Sequence, residues 1–159
     1  MPELTTLCYI NSGDKVLFIH KNEGDSFNGG KYLGVGGHFE EGETPEECIL
    51  REIFEETGIT RNELGDFRYR GIATFLSDKY DNEYMHIFTA SYVGERDVTP
   101  GSCPEGELLW VPQADIYGLP LWEGDKLMFD CLYKEISSFF SLKLRYKGSE
   151  LVESFAERY

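Results

Sequence analysis

Short apolar runs separated by turn-forming residues open the chain and predict strands. Leu4–Ile10 and Val16–His20 are two such runs, and Asn11–Asp14 between them has the composition of a turn. A third run, Tyr32–Val35, ends at Gly36-Gly37, which indicates a strand that gives way to a loop. The start of the chain is therefore predicted to supply strands to a sheet.

Longer apolar segments in the rest of the chain predict two hairpins. Phe67–Leu76 and Glu83–Val93 flank the polar stretch Ser77–Asn82, as two strands joined by a tight connection do. Leu142–Tyr146 and Leu151–Phe155 are separated by a short turn that contains glycine, and they predict a final hairpin.

Between these hairpins lie a loop, a short strand and a helical segment. The loop Glu95–Glu107 contains prolines and glycines and precedes the apolar strand Leu108–Val111, which Pro112 is expected to end. Within Trp122–Phe140, apolar residues recur at steps of three and four, which is the period of a helix. These residues are Leu127, Met128, Cys131, Leu132, Ile136 and Phe139.

A further helix, earlier in the chain, is predicted from the signals at its two ends. Thr44 can cap the helix, Pro45 suits its first position, and Glu47 stands where a capping box requires an acid. Gly58 suits the left-handed residue that closes a helix. The helix is therefore expected to lie between Thr44 and Gly58.

The side chains of this helix are predicted to divide into an apolar face and an acidic face. The apolar stripe, which should face the core, consists of Ile49, Leu50, Ile53 and Phe54. Glu52, Glu55 and Glu56 stand at i, i+3 and i+4 and share another face. Three neighbouring carboxylates repel one another unless a hard divalent cation bridges them. The spacing alone leaves both a solvated acidic surface and a cation site open.

Alternating strands and two amphipathic helices predict an α/β fold with a mixed β-sheet, in one domain of 159 residues.

The net charge of −14 disfavours binding to a nucleic acid polymer or an anionic membrane, although bound cations would admit a phosphorylated substrate. Neither a signal peptide nor an apolar membrane span is visible, so a cytoplasmic location is expected. Four scattered cysteines are expected to be buried, reduced thiols, and these are Cys8, Cys48, Cys103 and Cys131.

The stretch from Gly37 to Ile59 carries a more specific signal. It fits the pattern G-x5-E-x7-R-E-U-x-E-E-x-G-U, where U is a bulky apolar residue, at every defined position. Those positions are Gly37, Glu43, Arg51, Glu52, Ile53, Glu55, Glu56, Gly58 and Ile59. On these residues the chain resembles the Nudix hydrolases, and the resemblance implies their α/β/α sandwich fold.

The resemblance also implies a metal site. Glu52, Glu55 and Glu56 would be ligands of Mg²⁺, with Mn²⁺ as an alternative ion, and the carbonyl of Gly37 would be a further ligand. Arg51 would orient the carboxylates, and Glu43 would support the site.

Two glutamates are candidates for the general base that activates water. Glu56 is the first, because it ends the acidic cluster. Glu105 is the second, because related enzymes use a loop glutamate ahead of a late strand. An exposed loop charge is the alternative interpretation of Glu105.

Beyond this stretch the chain is similar to MutT-type hydrolases of oxidised purine nucleoside triphosphates. The similarity includes FNGGKYLGVGGHFEEGET, EYMHIFTASYV, LPLWEGDKLMF and FSLKLRYKGSELVESF. It implies that Trp122 stacks on the purine and that Asp125 hydrogen-bonds the edge of the base. Gly124 stands where this branch has a second acid, and Leu33 where it has an asparagine that reads the base. The two departures weaken the expected preference for oxidised purines.

Several of these residues also have a structural interpretation. Phe27 either anchors the loop Lys21–Lys31 or forms a wall of the base pocket, and Trp122 is either a core residue or a stacking platform. His20 and His38 are expected to be polar loop or strand-end residues rather than catalysts.

The expected activity is Mg²⁺-dependent hydrolysis of a nucleoside triphosphate to nucleoside monophosphate and pyrophosphate, with 8-oxo-dGTP as a candidate substrate. A nucleotide sugar, a dinucleoside polyphosphate or an alarmone is the alternative substrate. A Nudix module that binds nucleotides without turnover and an acidic interaction protein are the alternatives outside catalysis. Either a monomer or a homodimer fits the sequence.

Overall fold

The computed structural model describes residues 1–25, 27–99, 104–134 and 139–159. The strands in these ranges are β1 (Glu3–Ser12), β2 (Lys15–Lys21), β3 (Tyr32–Leu33), β4 (Val35–His38), β5 (Leu64–Ser77), β6 (Glu83–Tyr92), β7 (Gly106–Pro112), β8 (Phe140–Lys147) and β9 (Glu150–Arg158). The helices are α1 (Pro45–Thr57) and α2 (Glu123–Phe129). Short 3₁₀ turns span Arg61–Glu63 and Gln113–Gly118, and a π-helical turn, Asp130–Lys134, continues α2.

The strands form one mixed sheet in the order β3-β2-β1-β6-β5-β8-β9, with β4 paired to β1 and β7 paired to β2. The β1–β6 and β5–β8 pairs are parallel. The β5–β6 and β8–β9 pairs are antiparallel, as the two predicted hairpins require. The predicted mixed sheet and both hairpins are confirmed.

A separate apolar core lies on each face of the sheet, because successive residues of a strand point to opposite faces. Along β1, Tyr9 packs in one core while Cys8 and Ile10 pack in the other. The Tyr9 side is covered by α2, and the opposite side is covered by α1 through Ile49. The sheet therefore lies between helices, and the α/β/α layering expected from the resemblance is confirmed.

The end signals of α1 operate as predicted. The Thr44 hydroxyl accepts a hydrogen bond from the Glu47 backbone N–H at 3.1 Å, and the Glu47 carboxylate accepts one from the Thr44 N–H at 3.3 Å. Pro45 is the first residue of the helix, and Gly58 ends it with a φ of 75°. These contacts satisfy backbone groups that a helix end would otherwise leave unpaired.

The expectation of a loop at Gly36-Gly37 is wrong, because both glycines belong to β4 and pair with Thr6 and Leu7 of β1. A Cβ atom at Gly36 would lie only 2.0 Å from the Thr6 carbonyl oxygen, so the two backbones approach too closely for a larger residue. The segment predicted as one strand, Tyr32–Val35, is divided between β3 and β4.

Three smaller expectations also change. Phe54 is 57% exposed, so it is not a core residue of α1. Gly106 and Glu107 belong to β7 rather than to the preceding loop, and Phe140 begins β8 rather than ending the helical segment. Ile136 and Cys103 lie outside the described residues.

Cys8, Cys48 and Cys131 are buried, as expected, and Cys8 and Cys48 are free thiols. No helix within the described ranges is both long enough and apolar enough to cross a membrane.

Candidate active site

A cavity of about 500 Å³ lies against β1, β6 and the start of α2. Seven of the predicted site residues line it, and they are Phe27, Leu33, Gly37, Glu56, Glu105, Trp122 and Asp125. The cavity thus brings together residues from distant parts of the chain. Arg51, Glu52 and Glu55 do not line it and lie on α1 beside it.

Glu56 lies next to Glu52, on the side of α1 that is nearest the core. It follows Ile49 by almost two full turns at about 3.6 residues per turn, so it projects on the side of the buried isoleucine. Its Oε2 atom is buried and has no hydrogen-bond partner among the described residues. Glu55 lies on a different side, and its side chain is 54% exposed. Arg51 contacts both Glu52 and Glu55, and the charge of Glu52 acts on Glu56, so the acidic face extends from the exposed Glu55 to the buried Glu56.

The environment of Glu56 strongly favours its neutral form. Burial raises the pKa of Glu56 to about 9, and the negative charges of Glu105 and Glu52 add to the increase. The positive charge of Lys21 acts in the opposite direction. A carboxyl group held in this way binds a proton near pH 7 unless a cation takes the place of that proton.

Arg51 connects the acids of the signature stretch, Gly37–Ile59, through hydrogen bonds. Its guanidinium donates to both oxygens of Glu43, to Glu52 Oε1 at 2.8 Å and to Glu55 Oε2 at 3.2 Å. It also donates to the carbonyl of His38 at 3.0 Å. The hydrogen bonds from Arg51 lower the pKa of Glu43 to about 2, so Glu43 is ionised at neutral pH.

Gly37 lies directly against the Glu52 side chain. A Cβ atom at Gly37 would lie 2.5–2.7 Å from the Glu52 carboxyl atoms, so a larger residue there would displace the Glu52 carboxylate. The Gly37 carbonyl accepts a hydrogen bond from the Thr6 hydroxyl at 3.3 Å, and the Cys48 thiol lies 3.9 Å from it.

The acids fit a hard divalent cation in their chemistry. Their donors are oxygen atoms, which Mg²⁺ prefers, and the buried Oε2 of Glu56 lacks a partner that a cation would supply. Within the described ranges, no three acid, imidazole or thiol groups already lie close enough to hold one ion. Arg51 accounts for part of this, because it holds Glu52 and Glu55.

Glu105 is tied to the end of β2. Lys21 Nζ lies 2.9 Å from Glu105 Oε2, and the Asn22 backbone N–H donates to the Glu105 carbonyl at 3.3 Å. The Lys21 side chain is only 13% exposed, and it lines the same cavity. A positive charge therefore lies beside the two candidate bases, and no sequence pattern singles out this lysine.

Aromatic side chains surround Trp122. Its ring lies 5.3 Å from Phe27, 5.8 Å from Phe75 and 5.1 Å from Tyr146, between ring centroids. Lys31 Nζ lies 4.9 Å from the ring centroid of Trp122. Trp122 is 7% exposed and lines the cavity, so it combines a packing position with access to a ligand. Phe27 likewise anchors its loop and forms part of the cavity wall.

Asp125 is a buried acid at the start of α2. Burial raises its pKa to about 7, and its Oδ2 has no hydrogen-bond partner in the described part of the chain. The neighbouring Gly124 has no room for a side chain, since a Cβ there would lie 2.6 Å from Leu144 and 2.8 Å from the Tyr146 hydroxyl. Leu33 also lines the cavity, but it offers no polar atom to a ligand.

Several cavity residues were not found from the sequence. Those with polar or aromatic side chains include Thr5, Lys21, Asn28, Phe75, Tyr80, Glu83 and Tyr146. Side chains alternate between the two faces along each strand. The sequence therefore shows which residues of a strand share a face, but not which of them contact a ligand. Asn28, which accepts the Trp122 Nε1–H at 2.8 Å, had no sequence signal at all.

Comparisons with known proteins agree with this geometry. A family model described as NUDIX domain matches residues 1–131. The chain is similar to Uncharacterized Nudix hydrolase YvcI of Bacillus subtilis, with 32% identity over 81% of this chain and 78% of that protein. It is 31% identical to the oxidized purine nucleoside triphosphate hydrolase of Danio rerio, over 84% of this chain and 81% of that protein. The crystal structure of a mutator MutT protein from Bacillus halodurans superposes with a TM-score of 0.75 at 26% identity, over 98% of this chain and 97% of that one.

Proposed function

The chain belongs to the NUDIX domain family and is a Nudix hydrolase, and from that premise we propose which nucleotide it hydrolyses. The proposed reaction converts a nucleoside triphosphate to nucleoside monophosphate and pyrophosphate with Mg²⁺ bound. Oxidised purine nucleotides such as 8-oxo-dGTP are the proposed substrates. The relatives named oxidized purine nucleoside triphosphate hydrolase, in Danio rerio and Mus musculus, support this substrate class.

One observation carries the proposal. A single cavity is lined both by Glu56 and Glu105, near the acids of the signature stretch, and by the aromatic group around Trp122. A nucleotide has the same two parts, a polyphosphate that needs charge neutralisation and a flat apolar base. At about 500 Å³ the cavity is within the size range of small-molecule sites.

The proposed metal ligands are Glu52, Glu55, Glu56 and the carbonyl of Gly37. When bound, Mg²⁺ would neutralise phosphate charge and lower the pKa of water. Arg51 has the role of orienting Glu52 and Glu55, since it donates to both. Phosphoryl chemistry of this kind requires positioning and charge neutralisation rather than a covalent intermediate.

Glu56 is the proposed general base. Its carboxylate, ionised once Mg²⁺ is bound, would take a proton from the attacking water. Glu105 is the second candidate, and its ion pair with Lys21 holds it at the cavity. The Lys21 ammonium would also contact the negative phosphate chain.

At the other part of the substrate, the Trp122 ring would stack on the base and Asp125 would accept a hydrogen bond from its edge. Base stacking on an aromatic side chain is worth about 1–3 kcal/mol per base. Phe27 would complete the aromatic wall. The apolar Leu33 would contribute packing only.

We also propose a cytoplasmic location. The free thiols of Cys8 and Cys48 support a reducing compartment. The formal net charge of −14 supports a small nucleotide substrate rather than a nucleic acid polymer.

The test is a substrate panel with excess Mg²⁺ that contains 8-oxo-dGTP, dGTP, dATP, a nucleotide sugar and a dinucleoside polyphosphate. We expect the highest kcat/KM for 8-oxo-dGTP, with monophosphate and pyrophosphate as the products. Release of a nucleoside diphosphate and inorganic phosphate would refute the proposal. A higher kcat/KM for the nucleotide sugar than for 8-oxo-dGTP would also refute it. Glu56→Gln is the control for contaminating phosphatases, because its preparation should lose the activity.

A further inference from the structure

Glu83 is an acid on the cavity wall, which Glu3 and Asp81 also line. It lies on β6 directly opposite Phe75 of β5, and the two side chains therefore share one face of the sheet. Phe75 in turn contacts Trp122 edge to face, with 5.8 Å between ring centroids. Met85, two residues after Glu83, also lines the cavity. Glu83 is thus placed beside the proposed base-stacking group.

The Glu83 carboxylate has hydrogen-bonding capacity to spare. Its Oε2 accepts a hydrogen bond from the Thr5 hydroxyl at 3.1 Å. A carboxylate can accept about four hydrogen bonds, so a single hydroxyl leaves most of that capacity for a ligand. Burial raises the pKa of Glu83, which agrees with a position inside the cavity wall rather than on an open surface.

A second acceptor in the same cavity points independently to a ligand with donor groups. Asp125 is only 7% exposed, and its buried Oδ2 has no partner within the described residues. Two donors near these acids are already engaged, since the Trp122 Nε1–H bonds to Asn28 and the Thr5 hydroxyl bonds to Glu83. Among the described residues, Asp125 Oδ2 therefore has no donor and Glu83 has the Thr5 hydroxyl, so a base could provide further N–H donors to both.

We propose that Glu83 is a specificity-determining residue, which accepts an N–H of the nucleobase on an edge that Asp125 does not reach. The inference rests on the proposed function and identifies the bases that the cavity prefers. An 8-oxopurine carries N7–H, a donor, whereas N7 of an ordinary purine is an acceptor. A carboxylate at that edge attracts the first and repels the second. Glu83 thereby supplies polar recognition that Leu33 and Gly124 cannot.

The test compares wild type, Glu83→Gln and Asp81→Asn by the ratio of kcat/KM for 8-oxo-dGTP to kcat/KM for dGTP. The glutamine amide can still accept the Thr5 hydroxyl through its oxygen, but it presents a donor to N7. We expect the ratio to fall about tenfold in Glu83→Gln. Asp81 is an exposed acid at the same cavity, so Asp81→Asn should keep the wild-type ratio.

A binding measurement makes the test independent of turnover. The Ki values of 8-oxo-dGMP and dGMP, obtained by displacement of a fluorescent nucleotide, should show the same loss of preference in Glu83→Gln. A ratio within twofold of wild type in Glu83→Gln, or an equal fall in Asp81→Asn, would overturn the inference. If wild type hydrolyses no nucleoside triphosphate, the proposed function fails, while the Ki ratio still decides the role of Glu83. Unfolding midpoints of the variants close to wild type would show that the fold is retained.

Discussion

Arg51 donates to both carboxylate oxygens of Glu43, with Nε 2.7 Å from Oε2 and Nη2 2.9 Å from Oε1. This paired geometry uses the planar fork of a guanidinium, which a lysine ammonium does not have. The same group reaches Glu52 and Glu55, so one cation holds the loop before α1 and the acids on α1 in a fixed arrangement.

Replacing Arg51 by lysine should therefore destabilise the protein although the charge is kept. We expect Arg51→Lys to lower the free energy of unfolding by about 1–3 kcal/mol, because hydrogen bonds to carboxylates are lost. Urea denaturation at pH 7 measures this change. The matched control is Arg68→Lys, since Arg68 pairs with Asp66 on the surface, with both side chains more than 60% exposed. Such a pair contributes about 0–1 kcal/mol, so equal effects of the two substitutions would contradict the prediction.

Glu56→Gln should abolish most turnover while it stabilises the metal-free protein. A general base contributes about 10²–10⁴-fold to a rate, so kcat should fall by that factor. Because the pKa of Glu56 is raised to about 9, the folded protein holds a proton that the unfolded chain releases above its ordinary pKa of 4.5. Wild-type stability therefore decreases as pH rises from that value to about 9, and the glutamine variant should lack this decrease.

Thermal unfolding in EDTA at pH 8 checks the second part. We expect Glu56→Gln to be more stable than wild type by roughly 1–3 kcal/mol at this pH, because the amide does not ionise on unfolding as the carboxyl group does. Glu46→Gln, on the exposed side of the same helix, should leave both kcat and stability close to wild type. If Glu56→Gln were less stable than wild type, burial would not disfavour the ionised form of Glu56, and the prediction would be wrong.

Binding of Mg²⁺ should release a proton. In the absence of a cation Glu56 is protonated at pH 7.5, because its pKa is raised to about 9 by burial and by neighbouring acids. A cation binds the ionised form, so the apparent affinity should increase with pH and level off above about pH 9. Isothermal titration calorimetry in two buffers of different ionisation enthalpy measures the number of protons released. Affinity that is constant between pH 7 and pH 9 would contradict the assignment of Glu56 as a ligand.

Local signals in the sequence were sufficient for much of the fold. Thr44 and Gly58 are recognised from helix-capping patterns that involve only a few adjacent residues, so both ends of α1 could be predicted. The apolar alternation predicted both hairpins, because their strands pair across short turns. The signature from Gly37 to Ile59 gave the family, since its spacing does not depend on tertiary contacts.

Features that depend on distant residues were not predicted. The strand character of Gly36 arises from its pairing with β1, which no local pattern encodes. Phe54 has the helical spacing of a core residue but lies beyond the area that the sheet covers. Glu83 begins a strand next to a polar turn, a position that gives no sign of a ligand, and only the fold brings it to the cavity with Trp122.

The restriction at Gly124 gives a final prediction about stability. A side chain at this position would meet Leu144 Cδ1 at 2.6 Å and the Tyr146 hydroxyl at 2.8 Å. We expect Gly124→Asp to lower the free energy of unfolding by about 1–3 kcal/mol through overpacking. Leu144→Ala alone should cost about 2–5 kcal/mol, because it leaves a cavity.

The double variant, Gly124→Asp with Leu144→Ala, distinguishes overpacking from other causes. Alanine at position 144 makes room for the new side chain. The loss of unfolding free energy in the double variant should therefore be smaller, by at least about 1 kcal/mol, than the sum of the losses in the two single variants. Urea denaturation of the four proteins measures this coupling. Gly118→Asp is the control, because a Cβ there meets nothing within 4 Å, and it should change stability by less than about 0.5 kcal/mol. Additive costs in the double variant would show that Leu144 is not what excludes a second acid from the base-binding part of the cavity.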